Sequence, residues 1–183
     1  IQGISKHAYN YIEKLEKLHN EQSEVWRVRE IRSAIQSVVE GSARQKQFDA
    51  LRQFEITPAQ VEEELQDTYA LLAGQIQQYT GIIADLERLI EHQGKALLVE
   101  QPELEDQLND FKQALKQLKE DAKEPWSATR VVTQLKDLLS AATRFFKAIA
   151  PTTTINWEPA KKLVHQAGVR LMAIGTALMS QQE

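Results

Sequence analysis

The chain has 183 residues, 42% of them hydrophobic, and a formal charge of −4 at pH 7. That length suits one domain or two small ones, with enough apolar material for a core. There is no Cys, which excludes disulfides, thiolate metal sites and a Cys nucleophile, and only 7 Gly and 5 Pro favour long helices over a turn-rich sheet.

No run of 18 uncharged apolar residues occurs, so no simple membrane-spanning helix is expected. The charge is blocked. Residues 55–110 hold 13 acidic and 2 basic side chains, residues 111–170 hold 11 basic and 5 acidic, and residues 25–54 carry a net +3. The expectation is that acidic and basic helices neighbour and complement each other. The basic residues are spread over several helices and form no single cluster, so nucleic acid is not the expected partner. The first residue is Ile1, and the chain reads as a fragment or processed product, which leaves room for a membrane anchor or catalytic domain outside it.

Ile4, Ala8, Tyr11, Leu15 and Leu18 step by four and three, one face of a helix. The rhythm continues through Val25, Val28, Ile31, Ile35 and Val38, and Phe48, Leu51 and Phe54 carry it on beyond Gly41-Ser42. One unbroken rod over residues 4–54 would be about 75 Å long, so a break is expected: residues 4–40 read as one rod or as two helices broken near Asn20 to Ser23, and Gly41-Ser42 is a weaker interruption. Thr57 then reads as an N-cap, with Pro58 at the first helical position, Gln60 closing a capping box, and Ile56 and Val61 placed as a hydrophobic staple. From there Val61, Leu65, Thr68, Leu72, Ile76, Tyr79, Ile83, Leu86 and Ile90 hold a 3.5-residue rhythm. His92-Gln93-Gly94 offers a C-cap signal, with Lys95 to Glu100 as an extension or connector.

Pro102 restarts the helix. Leu104, Leu108, Phe111, Leu115, Leu118 and Ala122 form a narrow stripe, expected to fold back on residues 58–93 as a coiled-coil hairpin at the edge of the bundle. Glu124-Pro125 ends it. Ser127 caps the next helix, with Trp126 and Val131 as a second staple. Val131, Leu135, Leu138, Ala142, Phe145 and Ile149, beside Val132, Leu139 and Phe146, make a wide face that belongs at the centre. Pro151 to Pro159 is the clear loop, and the last helix covers about 159–180. Its residues 163–179 are rich in Leu, Met, Ile, Ala and Gly, with Arg170 the charged group.

Chemical motifs are sparse. Glu16-Lys17-Leu18-His19 is the single Glu-x-x-His, whereas a di-iron bundle uses a pair. Glu62-Glu63-Glu64 reads as three acids complementing a helix N-terminus. No phosphate-binding loop, dinucleotide fingerprint or zinc-protease motif occurs. No catalytic, cofactor-binding or metal-ligating residue is assigned, and no enzyme is expected. The fold expected is all-α: an elongated antiparallel bundle of about five or six helices with coiled-coil-like heptad packing, in one domain over 1–183, with possible divisions 1–55, 56–125 and 126–183.

The leading functional expectation is a non-enzymatic interaction, scaffold or regulatory module of a larger protein, meeting a protein partner or itself through helical faces. The alternatives are a membrane-perturbing effector bundle, with a membrane as partner, and an extracytoplasmic ligand-sensing domain. An apolar pocket with converging charges would favour the last. Ile155, Trp157, Gly168 and Gly175 are the candidate partner surface. Nothing in the residues fixes the compartment; the cytoplasm is the default.

Overall fold

The computed structural model of the chain describes residues 53–56 and 72–180. Four α-helices are packed against one another there: α1 (Leu72–Glu100), α2 (Glu105–Asp121), α3 (Ala128–Ala148) and α4 (Glu158–Ser180). A 3-10 turn over Pro102–Leu104 leads into α2, and no strand occurs among the described residues. Each helix packs on the next, and α4 closes the ring against α1. Lys112 pairs with Glu91 and Lys119 with Glu87, so α2 runs antiparallel to α1. Arg170 reaches Gln75 and Gln78 while Gln93 reaches Asn156, so α4 also opposes α1.

The heptad positions explain the packing. Tyr79, Ile83, Leu86, Ile90 and Leu97 of α1 are fully enclosed, as are Leu108, Phe111, Leu115 and Leu118 of α2 to within 2%. The acidic block of α1 and the basic side chains of α2 meet as ion pairs, as the charge pattern predicts. Ser127 caps α3 by accepting the Arg130 N–H at 3.2 Å. Trp126 stands edge-on to Tyr79, and its indole N–H donates to the Ala122 carbonyl at 3.0 Å, tying the α2–α3 turn to α1.

Three details depart from the sequence reading. Gly94 does not end a helix: α1 continues to Glu100, and Gly94 is buried where the Leu108 methyls press closest. A Cβ there would lie 2.9 Å from Leu108, so glycine permits the close α1–α2 approach. α2 is no edge helix, because it packs against both α1 and α3. Its stripe is narrow because the helix is clasped by two neighbours along one line. Third, Gln75 and Gln134 are core residues despite their polarity. Gln134 accepts from the Tyr79 hydroxyl and donates to the Leu118 carbonyl at 3.1 Å, so its amide is satisfied inside the bundle.

The last helix is enclosed on every side from Ala167 to Gly175. Phe54 packs on Phe146 with ring centroids 5.9 Å apart, Ile56 lies on Gly168, and His165 Nδ1 sits 2.7 Å from the Phe54 carbonyl. The readings of residues 4–52, of the Thr57–Pro58 helix start, of Glu62 to Glu64 and of Glu16/His19 fall outside the described residues.

Candidate functional site

A cleft of about 450 Å³ opens to solvent between α2 and α3. It follows from side-chain size. Phe111 and Phe145 stack with centroids 4.8 Å apart and 25° between planes, joining the two helices at the cleft floor. On α3, Ala141 and Ala148 occupy the positions four before and three after Phe145, so methyl groups stand where larger residues would fill the interhelical groove. Phe145 is itself locked from behind by Phe146 and Trp157, with centroids 5.4 Å away in both cases. The floor is therefore rigid as well as apolar.

The two walls carry opposite charge. Gln107 and Asp110, one turn apart on α2, line one side; Arg144 and Lys147, one turn apart on α3, line the other. All four side chains are exposed. None of the three charged groups enters an ion pair within the described residues. Two cations thus face one carboxylate across the cleft.

The other polar clusters hold the bundle together. At one end the Tyr79–Gln134–Leu118 chain and the Arg170–Gln75–Gln78 cluster satisfy buried groups. Burial, with Asp137 and Asp121 nearby, drives the Tyr79 hydroxyl far above its usual titration range and keeps it neutral. At the other end the α3–α4 loop is pinned to the end of α1. Glu100 accepts from the Thr154 N–H at 2.9 Å and its hydroxyl at 2.6 Å, and Gln101 accepts from the Ala150 N–H at 3.1 Å. The hydroxyls of Thr153 and Thr154 and the Thr154 N–H bring the Glu100 carboxyl down to about 2. Among the described residues no three His, Asp or Glu side chains gather as a metal would require, and no helix is long and apolar enough to cross a membrane.

The sequence-chosen surface residues lie elsewhere. Trp157 is buried in the aromatic cluster over Phe145 and Phe146, and its indole N–H finds no acceptor. Gly168 is buried under Ile56, Gly175 is buried within α4, and Ile155 is half-buried in the loop. They do not form one exposed face. Of the cleft residues, Phe111 and Phe145 are legible in the sequence as core, but the groove is not. Its sequence signal is two alanines seven apart on the α3 face, with Arg144 and Lys147 between them. No protein-family model matches the chain, and neither a curated protein nor a solved structure is found to be similar to it.

Proposed function

We propose that the chain is a non-enzymatic interaction module, regulatory or scaffolding, whose contact face is the α2–α3 cleft. The observation that supports this reading is the open cleft over the buried Phe111–Phe145 stack, rimmed by the exposed Asp110, Arg144 and Lys147, none of them ion-paired among the described residues. An apolar centre with a polar, charged rim is the anatomy of a recognition patch. In this reading the heptad stripes pack as coiled-coil seams, and the amino-terminal stripes over residues 4–54 bring the bundle to five or six helices within one domain.

Site-specific photocrosslinking tests the assignment. Benzoylphenylalanine placed at Gln107 or Lys147 should give a discrete adduct with a partner, or with a second copy, in cells. The same group at the exposed Arg88 of α1 should not. Equal labelling from all three positions, or none from the cleft, would remove the cleft as the contact face. A ligand-sensing role is the second reading, because Arg144 and Lys147 converge on an apolar cleft of a size that small molecules occupy.

A further inference from the structure

We propose that the α3–α4 loop, residues 150–156 together with Trp157, is a strap that opens as one unit while the four helices stay packed, lifting Trp157 off Phe145 and Phe146. The proposal stands apart from the reading of the cleft as a contact face. Three observations carry it.

The first is how the loop is fastened. None of residues 150–156 is buried, so the loop itself adds little to the core. The Thr153 N–H donates to the Ala150 carbonyl at 3.1 Å, and no backbone-to-backbone bond joins residues 150–156 to another part of the described chain. The bonds that do reach the bundle end on three side chains in and just past the last turns of α1. Gln101 accepts from the Ala150 N–H at 3.1 Å, and Glu100 accepts from the Thr154 N–H at 2.9 Å and its hydroxyl at 2.6 Å. Gln93 donates to the Asn156 carbonyl at 2.9 Å. A segment held through side chains alone can detach without breaking any helix ladder.

The second is what lies beneath it. Trp157 is 6% exposed and its indole N–H has no acceptor. Gln93 gives its amide N–H to Asn156, and its own carbonyl oxygen is buried without a donor. A buried donor and a buried acceptor that lack partners each carry a desolvation cost. Opening returns both to water, which offsets part of the apolar contact that Trp157 gives up.

The third is what the strap covers. Trp157 stands edge-on to Phe145 and Phe146, with centroids 5.4 and 6.1 Å away. Phe145 in turn stacks on Phe111 beneath the α2–α3 cleft, at 4.8 Å. The closed strap therefore fixes the ring under the cleft, and the open strap frees it from behind. The loop at the end of the bundle thus controls how firmly the α2–α3 face is held.

Hydrogen exchange followed by nuclear magnetic resonance on the full chain tests the proposal. The strap probes are the Ala150 N–H and the Trp157 indole N–H, neither of them bonded to Glu100; the core probe is the Leu115 N–H of α2. In the parent, both strap probes should exchange through one opening that depends little on sub-denaturing urea. Leu115 should show the steep dependence of global unfolding. Glu100→Ala should speed both strap probes by one shared factor, at least about tenfold. Leu115→Ala should speed the other α2 amides and leave the strap probes unchanged, because the open strap keeps the α1–α2 packing. Strap probes that accelerate with Leu115→Ala, or that share the urea dependence of Leu115 in the parent, would show that Trp157 leaves only on global unfolding and would overturn the proposal. Unequal factors at Ala150 and Trp157 in Glu100→Ala would overturn it too, since the loop would then fray instead of opening as a unit. The urea series on the parent needs no substitution, so a variant that fails to fold leaves the decision intact.

Discussion

Gly168 shows how one missing side chain sets a local structure. A Cβ at that position would collide with the Ile56 Cδ1 methyl and come 3.8 Å from Leu135. Gly168→Leu should therefore lower stability by about 1 to 3 kcal/mol through overpacking, although leucine is the better helix former. In denaturant titrations, Ile56→Val should cost about 0.5 to 1.5 kcal/mol in the parent and distinctly less in a Gly168→Ala background, because valine lacks the colliding methyl. Strict additivity of the two changes would place Ile56 elsewhere. Glu55 adds a second local feature. Its φ of 56° puts a non-glycine residue in the left-handed region, between Phe54 and Ile56, which are both buried. Glu55→Val should cost about 1 to 2 kcal/mol, since a β-branched side chain tolerates that region poorly, while Glu55→Gly should be neutral or stabilising. Equal midpoints for the two variants would show that this backbone conformation is not held in solution.

At the scale of elements, the α1–α2 pair and the start of α3 carry the sharpest expectations. Leu115 is fully enclosed between its neighbours. Leu115→Ala should cost about 2 to 5 kcal/mol, the range for a buried leucine truncated to a cavity. A parental melting curve for that variant would mean that α2 does not pack as described. Ser127 supplies the side-chain cap of α3, so Ser127→Ala should cost about 1 kcal/mol and Ser127→Asp should restore most of it. The two helix faces also divide the labour of α3. Its wide apolar face, Ala141 included, is spent on the core, and the exposed Arg144 and Lys147 line the cleft beside α2. The same stacking of Phe145 on Phe111 that joins the helices makes the cleft floor.

Across the whole molecule, the Glu100 cluster fastens the α3–α4 loop to the end of α1 and so closes the ring of helices at that end. Its carboxyl is lowered from 4.5 to about 2 by the hydroxyls of Thr153 and Thr154 and by the Thr154 N–H. A carboxylate with a depressed folded-state pKa adds stability above its unfolded value and loses it as pH falls toward the folded one. Stability should accordingly fall between about pH 4.5 and pH 2 in the parent. Glu100→Gln should be less stable at pH 7 and should show a shallower fall over that window. Parallel pH profiles for the two proteins would show that the latch contributes nothing to stability.

The periodicity of the chain determined the helices and most of the core. Tyr79 through Ile90, Leu104 through Leu118 and Val131 through Phe146 are buried where heptad spacing puts them, because helix pitch converts sequence spacing directly into a face. The Lys112–Glu91 and Lys119–Glu87 pairs fit the expectation that acidic and basic blocks complement each other, and Ser127 declared its cap. What spacing cannot state is which neighbour a face meets or how closely. Gly94 reads locally as a stop, yet tertiary packing carries the helix through it because Leu108 gains a seat there. Gln75 and Gln134 stand outside every apolar stripe, yet Arg170 and Tyr79 give them partners that make burial tolerable. The cleft itself was decided only by tertiary structure. Ala141 and Ala148 are unremarkable on one helix. They become the walls of a cavity only once α2 sets Phe111, Gln107 and Asp110 opposite them, since a void belongs to two elements and is written in neither.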